Sequence, residues 1–423
     1  MGNAWFSQES SRFSCATRTF TKYELEGLKS VFLSLAEKSR SNDEYISSSV
    51  FQGYLGINGL LGERLFDLIT QHRKDNKLSF QDLVIAKSEY EKGTDDEIEQ
   101  FIFQLLDVDG DGTVTRSDLK CVLVSVLESV FPLKVSDNES RNIHSDIINA
   151  FLNSAIFSKD VKEASEKCMS FEDFRTWSSF LPSVRKFLGG LLIPPHPGRP
   201  GSEVPTLVHP LNMDPNILLL KEEHAWHIGG ALPLAELGEW KLLYHSTIDG
   251  LSFNTFMDHV SNYKVPTVLL IRDKAECLYG GYASQPWEKH SDFYGDLKSL
   301  LLQLYPKVSI FKPTAANNNI QWCAVNFSSE DVPNGIGFGG RVHHFGLFIS
   351  AGFDVGQSYP SITYGSPCLS TTNLIVPRVI ECWAVIQKQA DPQRCDLVKG
   401  TILERFKEDR NMLNMVGLAN SSQ

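Results

Sequence analysis

The densest chemistry in the chain is a run of carboxylates, Asp107-Val108-Asp109-Gly110-Asp111-Gly112-Thr113-Val114-Thr115-Arg116-Ser117-Asp118. A hard cation wants six or more oxygens in a confined loop. Asp107, Asp109, Asp111, the Thr113 carbonyl, Thr115 through a water and Asp118 stand at the offsets that supply them, with Gly112 at the sharp turn. Carboxylates crowded into so short a segment repel one another without a counter-cation, which favours an occupied loop. The last position usually holds Glu, long enough to chelate with both oxygens. Asp118 is one methylene shorter, so the expected cofactor is Ca2+ held with modest affinity and with Mg2+ competing. The competing reading is an acidic surface turn.

Other candidates for chemistry are thinner. Gly335, Gly337, Gly339 and Gly340 could cradle a phosphate, but no Lys-Ser/Thr follows and no helix pattern opens after them, so close strand packing is the expectation. His343-His344 and the pair His224 and His227 lack a companion set of Cys, Asp or Glu at metal-ligand spacing and are expected to be packed or solvated. Glu381 lies in an apolar run, where a carboxylate needs a hydrogen-bond partner. The cysteines at 15, 121, 168, 277, 323, 368, 382 and 395 form no CxxC pair and are expected to be reduced thiols. No catalytic constellation emerges, so no enzyme activity and no small-molecule substrate are expected.

The ion loop belongs to a repeat. Ile46-Ser-Ser-Ser-Val-Phe51, Leu78-Ser-Phe-Gln-Asp-Leu83, Val114-Thr-Arg-Ser-Asp-Leu119 and Met169-Ser-Phe-Glu-Asp-Phe174 each place an apolar residue, then Ser or Thr, then a large apolar residue five positions after the first. In an EF-hand the eighth loop position is apolar because it joins a short strand between loops, and the exiting helix starts just after. The repeat resembles EF-hands in tandem. The second loop, Gln71 to Asp82, and the fourth, Lys162 to Asp173, have lost their ligands and are expected to be structural partners only.

These elements must be positioned by a chain of 423 residues, long enough for two or three folded units. Its 42% hydrophobic, 11% aromatic and 22% charged residues are those of a globular protein. A net charge of −11, from 40 basic against 51 acidic side chains, argues against nucleic acid as a partner. No apolar run reaches the length of a membrane span and no secretion signal is evident. Five prolines between Pro194 and Pro205 mark a linker or long irregular connection at 191–206. Before it, apolar spacing is helical, as in Leu25, Leu28, Val31, Phe32 and Leu35, giving a helical domain over 20–190. After it, Thr267 to Ile271, Trp322 to Phe327, Gly346 to Ser350 and Val379 to Ile386 read as strands, with a helix expected over Asp296 to Leu304. The fold class is therefore α+β, with a strand-rich domain over 207–390. Leu397, Val398, Ile402, Leu403, Phe406, Leu413 and Val416 predict an amphipathic C-terminal helix and tail over 391–423, offered to a partner.

At the other end, residues 1–19 form a lipid-anchor segment in which Gly2, exposed by loss of Met1, is the expected acceptor for myristate. The motif's Ser or Thr is displaced, since Phe6 fills its place and Ser7 follows. One acyl chain binds a membrane marginally, so a second attachment is needed. Cys15 as a palmitate site and Arg12, Arg18 and Lys22 against anionic lipid are candidates, and a membrane-bound partner is favoured over both.

In the second half, Trp240-Lys-Leu-Leu-Tyr-His-Ser246, Asp249-Gly-Leu-Ser-Phe253, Pro266-Thr-Val-Leu-Leu-Ile271, Tyr279-Gly-Gly-Tyr-Ala-Ser284 with Trp287, Phe293-Tyr-Gly295, Gly335-Ile-Gly-Phe-Gly-Gly340 and Val379-Ile-Glu-Cys-Trp383 stand in the order found in TLDc domains. With Gly2 and the EF-hand-like half, the chain resembles the eak-seven type of that family, the myristoylated branch linked to TOR signalling. The resemblance implies a β-sandwich flanked by helices that docks on the V-ATPase, touching its peripheral stalk and soluble catalytic sector. It also implies that the C-terminal helix reaches the central rotor stalk. The expected location is cytoplasmic, peripheral on the cytosolic face of vacuolar or lysosomal membranes, with the membrane surface met through lipid. Two other functions stand beside this one: an enzyme protecting against oxidation, and a calcium-responsive membrane adaptor in nutrient signalling.

Overall fold

The structure is a computed structural model that describes residues 11–39, 44–70, 75–132, 138–159 and 167–388. Gly2 and the tail residues Leu397, Val398, Ile402, Leu403, Phe406, Leu413 and Val416 lie outside the described residues.

The first half is built from helices Lys22–Lys38 (α1), Ser48–Leu55 (α2), Gly59–Thr70 (α3), Phe80–Tyr90 (α4), Asp95–Leu106 (α5), Arg116–Val130 (α6), Asn138–Asn153 (α7), Phe171–Phe180 (α8) and Pro182–Gly189 (α9). The repeat explains their order. Ile46 and Leu78 exchange backbone hydrogen bonds at 2.9 and 3.2 Å, and Met169 N–H donates to the Val114 carbonyl at 2.8 Å. The four apolar residues at the equivalent loop position thus pair first with second and third with fourth. The residue after each apolar one starts the exiting helix. Ser79, Thr115 and Ser170 accept from the backbone N–H of Asp82, Asp118 and Asp173, whose carboxylates accept in return, closing a capping box at each start. Each such cap is worth on the order of 1 kcal/mol.

The second half is a two-sheet sandwich. Strands β1 to β12 are Thr206–Val208, Glu239–His245, Thr267–Asp273, Leu278–Ala283, Leu300–Tyr305, Ser309–Phe311, Gln321–Ala324, Gly335–Arg341, His344–Ser350, Gly356–Gln357, Leu374–Ile375 and Pro377–Ile386. A seven-stranded sheet runs β1-β2-β12-β3-β4-β5-β6 and a five-stranded sheet runs β11-β10-β9-β8-β7. All pairs are antiparallel except β1 with β2. Alternation on β3 shows how the layers stack. Leu269 and Ile271 pack with Ile336, Phe338, Leu347 and Ile349 of the other sheet. Val268 and Leu270 share a core with the helical half, including Trp177, Val184 and Leu188. The larger sheet is therefore covered on both faces, which is why Val268 to Ile271 of β3 is an unbroken apolar run with no polar alternation.

One sequence expectation fails here. Asp296 to Leu304 is not a helix: Ser299 N–H turns back to the Asp296 carbonyl, and Leu300–Tyr305 is β5, between β4 and β6. A short apolar run buried on two faces carries no period that separates strand from helix.

The proline-rich stretch carries one short helix, Pro195–Gly198, in otherwise irregular chain, and it is packed. Arg199 is 2% exposed, its Nε donates to the Ile193 carbonyl at 2.9 Å, and a terminal nitrogen donates to the Leu55 carbonyl at the end of α2. Burial lowers its guanidinium to about 10. Residues up to Ile386 form one compact unit.

Candidate functional site

The ion loop spans the end of α5 and the start of α6. Gly110 at φ +75° and Gly112 at φ +87° take the left-handed turns that let the chain curl around a centre. Asp107, Asp109 and Asp111 converge, each offering one carboxylate oxygen within 4.8 Å of the others. Asp107 anchors the curl: its Oδ1 accepts from Gly110 N–H at 2.9 Å and its Oδ2 from Gly112 N–H at 3.1 Å. Asp109 Oδ1 accepts from Asp111 N–H at 3.2 Å, and Asp111 Oδ1 from Thr113 N–H and hydroxyl, both at 2.7 Å. Burial raises the Asp107 carboxyl against the lowering effect of Gly112 and Arg64, whereas hydrogen bonds from Thr113 hold Asp111 below its ordinary value.

Of the remaining predicted ligands, Thr113 serves Asp111 through its N–H and hydroxyl, and Thr115 and Asp118 are engaged in the helix cap. The Thr115 hydroxyl donates to Asp118 Oδ2 at 2.6 Å and its N–H to the same oxygen at 2.9 Å. Asp82 and Asp173 make the equivalent cap in the second and fourth repeats, and Ser47 of the first makes no side-chain cap. Capping alone therefore accounts for an Asp at this position. Asp118 Oδ1 is the atom left for a cation.

Sequence reasoning missed Arg64. From α3 its guanidinium reaches Asp107 Oδ2 at 3.2 Å and the Gln104 carbonyl at 3.1 Å, both side chains being mostly buried. It also lies 3.0 Å from where a Cβ on Gly110 would be. No local signal in the sequence connects residue 64 to residue 107, because the contact exists only once α3 packs on the third repeat. The arrangement sets a tethered cation against the first carboxylate of the loop.

The other candidates sort as expected from their sequence context. Gly335, Gly337 and Gly340 are where β9 passes: a Cβ on each would lie 2.1, 2.5 and 2.2 Å from the carbonyls of Ile349, Leu347 and His344. His343 and His344 are exposed at a hairpin turn, His344 beside the Tyr359 ring. Glu381 is fully buried and accepts from Leu219 N–H at 2.6 Å, Leu220 N–H at 3.3 Å and Trp383 Nε1 at 2.6 Å. The described cysteines are free thiols, and burial pushes Cys323 and Cys382 up to about 12 and raises Cys277. No helix among the described residues is long and apolar enough to cross a membrane.

Comparison with known proteins places this geometry. Residues 215–386 match the family model described as TLDc domain. The MTOR-associated protein MEAK7 of Xenopus laevis is 31% identical over 211 residues, 49% of this chain and 44% of that protein. MEAK7 of Danio rerio is 28% identical, over 62% of this chain and 59% of that protein. Oxidation resistance protein 1 of Xenopus laevis is 27% identical over 45% of this chain and 20% of its own length. The chain thus spans about half the length of the MEAK7 proteins it matches.

Proposed function

We propose that this chain, whose residues 215–386 are a TLDc domain, is a noncatalytic regulator that docks on the V-ATPase through its TLDc and helical halves. It bridges stator and rotor through the residues after Ala390. Similarity to MTOR-associated proteins adds the TOR machinery as a second class of partner. The observation that carries the reading is the continuous core shared by the larger sheet and the helices, which joins the TLDc domain to the EF-hand-like half as one broad surface. The reactive side chains support adhesion over catalysis: the carboxylate, imidazole and thiols of Glu381, His227, Cys323 and Cys382 are sealed in packed interior. A pull-down from detergent-solubilised vacuolar membranes should recover pump subunits, and failure both in calcium and in chelator removes the proposal. Deleting residues after Ala390 should weaken rotor contact and spare docking by the TLDc domain.

Within this reading the 107–118 loop takes Ca2+ and stiffens the helical half, and lipid on Gly2 supplies the weaker membrane contact. Isothermal titration with Ca2+ should give heats for the wild type and none for Asp107→Ala; equal heats in both would eliminate the loop as the binding site. Arg64→Gln removes the tethered competitor and should tighten Ca2+ on the order of tenfold, about 1.4 kcal/mol. Unchanged or weaker affinity in Arg64→Gln would show that the guanidinium supports the bound loop.

A further inference from the structure

Helix Glu222–Gly229 (α10) lies where the halves meet. Trp226 Nε1 donates to the Gly201 carbonyl at 2.7 Å and its ring stands edge-on to Phe131 at 6.1 Å. Just past the helix, Gly230 presses on α9 so closely that a Cβ there would lie 2.4 Å from Ser183 N. One turn earlier His227, 1% exposed, sits in the same contact, with Nδ1 3.2 Å from Ser183 Oγ of α9 and its ring 5.3 Å from Phe151 of α7. Its Nε2 is buried without a hydrogen-bond partner. On the sheet side, Glu381 of β12 holds the backbone of Leu219 and Leu220, which lead into α10.

We propose that α10 is an acid-released joint, in which a proton taken up by His227 undocks this helix from α9 and loosens the junction between the helical half and the sandwich. A neutral imidazole needs one donor or acceptor from Ser183 and tolerates an apolar wall at its other edge. An imidazolium carries two donors, of which Nε2–H would point into that wall, and a charge burial makes costly. The titratable and charged neighbours are known by element. On α10 itself they are Glu223 and His224; His224 is half-buried with its Nδ1 sealed, and any charge on it would repel a proton on His227. Lys221 before the helix and Arg272 of β3 act on His224 as further cations, while Glu381 of β12 offsets Lys221. From α9 the facing group is the Ser183 hydroxyl, and from α7 the Phe151 ring.

Burial, the dominant cause for each, holds His227 at about 3 and His224 at about 4. An exposed imidazole titrates near 6.5. Because the closed-state values are depressed, the docking these residues permit is fully present above pH 6.5 and declines as pH falls below it. For His227 alone the ratio of open to closed rises about thirtyfold between pH 7.5 and pH 5.0. His224 adds to that change if its end of the helix lifts as well, and Glu381, whose raised value works the other way, subtracts from it.

Hydrogen exchange of the full chain tests the proposal. Peptides covering 182–189 and 222–229, corrected for the intrinsic pH dependence of exchange, should open about thirtyfold or more between pH 7.5 and pH 5.0 in the wild type. In His227→Gln the roughly thirtyfold part carried by His227 should be lost, leaving only what His224 and Glu381 contribute. A flat wild-type profile, or an equal change in His227→Gln, overturns the joint. Should His227→Gln prove already open at pH 7.5, His227→Phe fills the same space without titrating and is read in the same way. The His227 ring can also be titrated directly by nuclear magnetic resonance in the wild type; a midpoint above 6 with the joint still closed overturns the proposal without any variant.

Discussion

Gly280→Ala is expected to abolish cooperative folding of the strand-rich half. Gly280 lies in β4 between β3 and β5, opposite Leu270 and Leu302. A Cβ placed on it would be 1.8 Å from the Leu269 carbonyl oxygen and 2.8 Å from the Leu269 carbonyl carbon. These are backbone atoms of a paired strand, so no rotamer change relieves the overlap. The only relief is to move β3 away from β4, which breaks the ladder at the centre of the larger sheet and opens both of its cores. Ordinary overpacking costs about 1–3 kcal/mol. A clash with ladder backbone exceeds that, against a total stability of roughly 5–15 kcal/mol for a natural domain. The neighbouring Gly281 faces the other way, where a Cβ would meet the Phe338 ring at 2.7 Å and wedge the sheets apart. As a control, Gly27→Ala on the exposed face of α1 meets nothing within 4 Å, and should stabilise by about 0.5–1 kcal/mol through helix propensity. Thermal melts by circular dichroism decide the matter: a Gly280→Ala protein melting within a few degrees of the wild type would show that β4 packs more loosely than its geometry states.

The contrast between these glycines shows which parts of the molecule the sequence made legible. Tyr279-Gly-Gly-Tyr-Ala-Ser284 stood out only through its resemblance to TLDc domains, whereas the repeat of apolar, hydroxyl and apolar residues located four helix starts because it is a consequence of local geometry. Ile46 had to meet Leu78, and Val114 had to meet Met169, once the loops paired. Asp107, Asp109 and Asp111 were likewise legible, since loop spacing alone brings them together. The strand Leu300–Tyr305 was not, because burial on both faces erases the alternation that distinguishes strands. Arg64 on Asp107 and Ser183 on His227 were not either. They join residues 43 and 44 positions apart through packing between elements, and no spacing rule within one element reaches them. Glu381 lies between the two cases. Its place in an apolar strand demanded partners, but the backbone amides of Leu219 and Leu220, more than 160 residues away in sequence, could be named only from the fold.

The protonation of that carboxylate should leave a signature in stability. Glu381 has two opposing influences: burial, the larger, raises its value, and the N–H donors of Leu219, Trp383 and Leu220 with the nearby Lys221 charge lower it, the balance standing at about 7. An unfolded glutamate titrates near 4.3. The folded protein therefore binds this proton more tightly than the unfolded chain does. The stability it contributes is fully present below the unfolded value and is lost as pH rises through 7, a change on the order of 3 kcal/mol. His224 and His227 act in the opposite sense, so the wild-type curve alone is a mixture. Glu381→Gln isolates the carboxylate, because the histidine contributions cancel in the difference between the two proteins. The amide keeps an oxygen for the Leu219 and Leu220 donors and cannot ionise. Urea midpoints should show the Gln variant gaining on the wild type by about 3 kcal/mol from pH 4.5 to pH 8. Glu381→Leu removes the acceptor altogether and leaves three N–H groups unpaired in the interior; it should lose about 3–5 kcal/mol even at low pH. A wild-type minus Gln difference that stays constant from pH 5 to pH 8 would mean that the three donors and Lys221 outweigh burial and keep Glu381 ionised throughout.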